Sequence, residues 1–273
     1  MINLYLIPTP IGNMEDITLR ALELLKTVDV IYCEDTRNTK SLLLYHGINR
    51  TLKSNHLFNE DKKANEIITD LKEGKTVAVV SDAGYPGISD PGYLACKRAI
   101  DEGFTVSTIP GATASITALV TSGIPCDKFF FYGFLAHTTL DKQKELQSFI
   151  DYEYTVIFYE SPHRINETIK MMGDLFGDRE LVIARELTKK HEEYIRGTCK
   201  TLALENLDIK GEIVLILAGA KKDSLTIELS SLTIQEHYEY YLKETSDSKE
   251  AMKKVAKDRG ISKSAVYNEL LKK

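Results

Sequence analysis

Ser81-Asp82-Ala83-Gly84-Tyr85-Pro86-Gly87-Ile88-Ser89-Asp90-Pro91-Gly92 follows an apolar run at residues 76–80 and precedes a helical stretch starting near Tyr93. Three glycines, two prolines, two serines and two aspartates in one turn make a poor packing element. Such a loop holds its backbone on a fixed, unusual path, with N–H groups and carboxylates free to face a ligand. In an open α/β sheet, ligands bind at the carboxyl ends of strands, so residues 81–92 read as a binding loop.

Working outward, residues 4–7, 28–33, 76–80 and 105–109 read as strands. Helices are expected from Asp16, as N-cap, to about residue 27, over 61–72 with Gly74 as stop, and over 93–102. This alternation predicts a mostly parallel sheet covered by helices. A helix rich in small residues follows over 113–122. Residues 129–133, 155–159, 181–185, 193–197 and 212–218 then read as strands, with a helix around Leu146, Phe149 and Ile150. Another helix is expected from Ser161-Pro162, cap and first residue, to about residue 176. More strands per helix in this half predict some antiparallel pairing. The fold class is α/β with two lobes: residues 1–112, then 113–222. A polar linker over 220–231 leads to a helical unit at 232–273.

Six polar or Gly/Pro-rich segments emerge where these strands end. They begin at Pro8, Glu34, Ser81, Pro110, Glu160 and Arg185. In a parallel sheet the first four converge on one edge, where a facing second lobe closes a cleft. Blander readings exist for single pieces: Glu34–Arg37 and Glu160–Arg164 have the spacing of surface ion pairs.

The chain has 273 residues, 43% hydrophobic and 27% charged, enough for two domains with a real core. Its first residues lack a basic n-region, and the longest apolar run is far short of a bilayer span, so a cytoplasmic protein without membrane contact is expected. Cys33, Cys96, Cys126 and Cys199 have no metal or redox spacing, and His163 and His191 have no zinc-ligand partner; no metal is expected. Neither G-x-G-x-x-G, G-x-x-x-x-G-K-[ST] nor G-x-S-x-G occurs, which argues against a dinucleotide, a nucleoside triphosphate and a hydrolase elbow.

The net charge is −5, but residues 243–273 hold nine Lys/Arg against five Asp/Glu, +4, leaving −9 for the rest. Within this tail, Ala256, Gly260 and Val266 have the spacing of a helix-turn-helix, with Val255, Ile261 and Leu270 as apolar neighbours and Ser262 as a cap. Basic charge on such a unit favours nucleic acid.

The segments LIPTPIGNMEDITLRA, CEDTRNT, SDAGYPGISDPG, IPGATASITAL, FYGFL, FYESPHRI and ARELTKKHEE together closely resemble one family. It is the ribosomal small subunit methyltransferase I family, bacterial 16S rRNA cytidine 2′-O-methyltransferases of the tetrapyrrole-methylase-like class. The resemblance implies two α/β lobes around S-adenosylmethionine, a homodimer, and 16S rRNA or the 30S subunit as substrate. It also implies cofactor contacts from Pro8, Asp82, Gly84, Tyr85, Thr113 and Ala114, and from Tyr159, Ala184 and Gly211 in the second lobe.

A ribose hydroxyl is weakly acidic, so a base is expected. The candidates are Glu34, Asp35, Glu160 and Glu186, with Glu160 favoured. Arg37, Arg164 and Arg185 suit RNA phosphates. Two rivals stand beside this reading: a tetrapyrrole or corrinoid methylase of the same fold, and a non-enzymatic helix-turn-helix regulator with a ligand-sensing body.

Overall fold

The computed structural model describes residues 2–57, 59–205, 207–221 and 229–271. The chain divides into two compact units, Met1–Gly219 and Ala220–Lys273. Residues 222–228 of the expected linker lie outside the described residues.

The first sheet has the order β3-β2-β4-β1-β5. Its strands are β1 (Leu4–Ile7), β2 (Val30–Cys33), β3 (Leu52–Ser54), β4 (Val77–Val80) and β5 (Val106–Thr108). All pairings are parallel, and Ile7 and Cys33 both register with Val80. The loops after β1, β2 and β4 therefore leave the sheet at one level. The apolar run Val77–Val80 forms the centre because it feeds two cores. Ala78 and Val80 pack with Ala21 and Leu25 of α1 (Leu19–Thr27) and Leu42 and Leu43 of α2 (Thr36–Tyr45). Val77 and Val79 pack with Ile67 and Leu71 of α3 (Glu60–Lys72) and Ala95 and Ala99 of α4 (Tyr93–Asp101). Each fully buried Val, Leu or Ile contributes about 1.5–3 kcal/mol relative to exposure.

The second sheet has the order β6-β7-β10-β8-β9. Its strands are β6 (Phe129–Phe134), β7 (Thr155–Glu160), β8 (Glu180–Arg185), β9 (Glu193–Thr198) and β10 (Ile213–Leu217). The expected antiparallel pairing is present: β10 runs against both β7 and β8, and β9 against β8. Ile213, first in β10, registers with both Glu160 and Arg185, so those two strand ends share an edge with the segment entering β10. One face of this sheet packs on α6 (Thr139–Gln147), α7 (Ile165–Phe176) and α8 (Cys199–Ala203). The other packs on α5 (Ala114–Ser122) and on Ile11 from the loop after β1. Ile11 thereby carries the first lobe into the core of the second.

Four local expectations are corrected. Asp16 lies in a short 3-10 turn, and Thr18 caps α1 by accepting from the Ala21 N–H. Ser161 does not cap α7, which starts after Arg164 because residues 161–163 form a turn at the cleft. Helix α6 ends at Gln147, so Phe149 and Ile150 follow it, Phe149 still reaching the core. Helix α2 and strand β3 were not expected at all.

The second unit contains α9 (Ile234–Thr245), α10 (Ser248–Arg259) and α11 (Lys263–Leu270), capped by Thr233, Asp247 and Ser262. Ala256 is buried in the last turns of α10, Gly260 after it has φ 63° and Val266 is fully buried, the geometry a helix-turn-helix needs. Ile261 differs from expectation: it is exposed. Among the described residues, no helix is long and apolar enough to cross a membrane.

Candidate active site

The loop after β4 is pinned from three sides. Thr9 and Gly84 exchange backbone hydrogen bonds of 2.9 and 3.0 Å, tying it to the loop after β1. Gly84 has φ 75°, a left-handed value that glycine adopts without penalty. The Ser81 hydroxyl donates to the Gly84 carbonyl at 2.8 Å, and the Gly111 N–H donates to Tyr85 Oη at 2.9 Å. At the far end, Glu60 Oε1 accepts from the N–H groups of Gly92 and Leu94, holding the start of α4. The loop thus forms one wall of a cavity of about 430 Å³.

Across the cavity stand Tyr159, Glu160 and Pro162 from the end of β7, and Gly211 to Val214 entering β10. Gly211 has φ 88°, and a Cβ there would lie 2.1 Å from Glu186 Oε1. Glycine is therefore required for the chain to turn into β10 past that carboxylate. Ile11, Ile88, Phe134, Ile213 and Val214 give the cavity an apolar side.

Five acids line it: Glu34, Asp82, Asp90, Glu160 and Glu212. Asp82 is held in place, accepting from the Asp35 N–H at 3.0 Å and from Asn38 Nδ2 at 2.7 Å. Glu212 pairs with Lys189 at 3.0 Å. Glu34 and Asp90 accept no hydrogen bond among the described residues. Burial, then the charges of Asp82 and Asp35, push Glu34 upward. Burial and the charges of Glu34, Asp82 and Glu212 push the Asp90 carboxyl up to about 7. Asp90 was not among the sequence candidates, although it lies inside the loop that opened the reading.

Of the expected cofactor contacts, Asp82, Gly84, Tyr85, Thr113, Ala114, Tyr159 and Gly211 line the cavity. Pro8 and Ala184 do not: the Pro8 ring packs against Gly111, and Ala184, within β8, is buried in the core.

The expected acid and arginine groups separate in the same way. Glu34 and Glu160 line the cavity, but Glu160 is fully engaged. It accepts from the Ser161 N–H at 2.8 Å and Thr168 Oγ1 at 2.6 Å, and Arg164 Nε lies 3.3 Å away. Behind Thr168, the buried Lys142 ammonium donates to Thr168 and Glu167. Asp35 caps α2 and pairs with Arg37 at 2.6 Å; hydrogen bonds from Arg37 hold its carboxyl down to about 2. Arg164 donates to the carbonyls of Leu135 and Ala136, fastening the loop after β6. Arg185 pairs with Glu193, and Glu186 with Lys189. Arg37 is the one expected arginine left mostly in solvent, its side chain 89% exposed.

A sequence profile of the tetrapyrrole (corrin/porphyrin) methylases matches residues 3–203. The ribosomal RNA small subunit methyltransferase I of Bacillus subtilis (strain 168) is 47% identical, over 97% of this chain and 92% of its own length. The protein of the same name from Halalkalibacterium halodurans is 45% identical over 97% of this chain and 93% of its own. The chain belongs to the ribosomal RNA small subunit methyltransferase I family. It is a methyltransferase, and its methyl donor is S-adenosylmethionine. In fold, it is similar to the uroporphyrin-III C-methyltransferase of Thermus thermophilus complexed with S-adenosylhomocysteine, with TM-score 0.56 and 17% identity over 79% of this chain and 97% of that one.

The cavity fits such a donor. Its acids complement a sulfonium cation, its apolar side suits a nucleoside base, and α5 starts at its edge with no side-chain cap over its first N–H groups.

Proposed function

We propose that this chain 2′-O-methylates a cytidine ribose of 16S rRNA, as naked RNA or in the 30S subunit. In this reading it acts as a homodimer in the cytoplasm. The two relatives carry the small-subunit RNA in their names. The segments quoted at the outset support the cytidine. The observation that carries oxygen methylation is Asp90, a carboxyl on the cavity wall that accepts no hydrogen bond among the described residues and that burial pushes up to about 7.

Bound in the cavity, S-adenosylmethionine supplies a methyl group already activated on a sulfonium. The residues that hold it are Asp82, Gly84, Tyr85, Thr113, Ala114, Tyr159 and the Gly211–Val214 segment. The chain's own task is to hold the ribose in line and to take its proton. Alignment can supply several kcal/mol. Asp90 takes the 2′-hydroxyl proton, since a base works best with its pKa near the operating pH. Burial, and then the Glu34 charge, keep the Asp90 proton affinity high. Glu160 serves position rather than proton transfer, because its oxygens already have partners.

The test is methyl transfer from radiolabelled S-adenosylmethionine to unmethylated 30S particles, naked 16S RNA and a tetrapyrrole. Label on a cytidine 2′-oxygen supports the reading. Label on the tetrapyrrole alone would move the chain to the chemistry of its structural neighbours.

A further inference from the structure

Helix α2 leaves the cleft at Asp35, whose N–H holds Asp82. Beyond Asp35, away from the cleft, a separate groove of about 450 Å³ runs between α2 and the turn into the edge strand β3. Its walls include Arg37, Lys40 and Leu44 from α2 and Asn49, Arg50 and Leu52 from the turn and strand. Three of these six are cations. Arg37 spends one edge of its guanidinium on Asp35. Lys40 and Arg50 make no ion pair or side-chain hydrogen bond among the described residues, and Arg50 Nε is buried without an acceptor. A buried donor left unpaired destabilises the fold, and an arriving acceptor relieves that cost.

The sequence isolates this charge. Residues 36–59 contain four Lys/Arg and no Asp or Glu, inside a body whose net charge without the tail is −9. The fourth cation, Lys53, is consumed by Asp70 and Glu66. Lys40 and Arg50 remain for an external anion, Arg50 with the Asp29 carboxylate close enough to feel its charge, and Arg37 adds the edge it does not spend on Asp35.

We propose that this groove holds the phosphate backbone of the RNA strand flanking the target nucleotide; the inference rests on the RNA reading of the cleft. Three features favour a strand over a small anion. The cations are spread along a groove, with Lys40 about 4.5 Å further along the helix axis than Arg37. The groove begins one residue from a contact that positions the cleft wall. Exposed Leu44 and Tyr45 beside it offer an apolar side chain and a stacking face for unpaired bases.

The test uses the full chain with Lys40→Gln, Arg50→Gln and the double variant. Cofactor affinity by calorimetry verifies that each is folded. Because Lys40 is exposed, Lys40→Gln alone decides the matter if Arg50→Gln fails to fold. The expected result is a KM for 16S RNA raised roughly fivefold per substitution, with kcat and cofactor affinity unchanged. The slope of log binding constant against log salt should fall by about 0.7 for each lost phosphate contact. An unchanged slope and KM in Lys40→Gln would overturn the proposal. So would loss of activity confined to 30S particles with naked-RNA binding intact, which would make the groove a contact for an acidic protein. The salt slope is read on binding alone. It therefore reports on the groove even if the wild-type chain labelled no RNA, a result that would count against the reading of the cleft instead.

Discussion

Asp90 and Glu160 are both carboxylates on the cavity wall, yet their surroundings give them opposite duties. Glu160 has a backbone N–H, a threonine hydroxyl and an arginine around it, while Asp90 accepts no hydrogen bond among the described residues and feels the charges of Glu34, Asp82 and Glu212. Wild-type kcat/KM should therefore rise with pH through about 7 as Asp90 ionises. Asp90→Asn should remove that limb and lower the plateau by roughly 10²–10⁴-fold. A retained limb with full activity would assign the proton to another group. Stability should move the other way. The folded value lies above the unfolded value near 3.8, so this group's contribution is fully present below 3.8 and lost as pH rises through about 7. Asp90→Asn should then raise the melting temperature at pH 8 and change it less at pH 4. The sequence exposed the loop but not the base. Two aspartates in one Gly/Pro turn look alike until the backbone shows that Asp82 is hydrogen-bonded and Asp90 is not. Glu160 drew attention through its strand-end position, and its partner Thr168 sits eight residues on, on a helix whose start was misplaced.

At the scale of elements, legibility followed how a segment buries its side chains. LYLI and VAVV are short apolar runs because both faces of their sheet are covered, and both were readable as strands. Helix α2, TRNTKSLLLY, crowds its large apolar residues into its second half, and β3 has three residues, none fully buried. Neither shows a period, so both came only with the structure, and the basic groove between them came with them. The helical unit carries a device no pattern could show. His237 is fully enclosed; its Nδ1 accepts from Arg259 Nε at 3.0 Å, and its Nε2 lies 3.1 Å from Asp258, which also accepts from Tyr241. Burial holds His237 below its ordinary value despite Asp258, and the Arg259 charge adds to that effect. A folded value below the unfolded one gives stability that is full above pH 6.5 and lost as pH falls beneath it. The loss is at most about 1.4 kcal/mol per pH unit. Amide exchange in α9 and α10, corrected for intrinsic rates, should thus speed up between pH 7 and 5.5. His237→Gln should flatten that dependence, and an equally steep response in the variant would place the titration elsewhere.

At the scale of the molecule, charge and core are partitioned differently. The hydrophobic clusters of the first unit draw on no residue beyond Ala218, and the second unit has its own core from Leu229 to Val266. Ending the chain after Gly219 therefore cuts no core, and every residue named as holding the donor remains. Positive charge is divided instead. Lys249, Lys253 and Lys257 fall one turn apart on the exposed side of α10, whereas residues 1–242 carry a net −9. The fragment 1–219 should unfold cooperatively and bind S-adenosylmethionine with the full chain's affinity. Its KM for small-subunit RNA should rise by an order of magnitude or more, and its salt slope should fall by about 0.7 for each phosphate that the tail holds. Calorimetry on the fragment and initial rates against RNA concentration measure both halves of this expectation. Full RNA activity in the fragment would show that the groove and cleft suffice to hold the strand, and would leave the basic helices without a part in substrate binding.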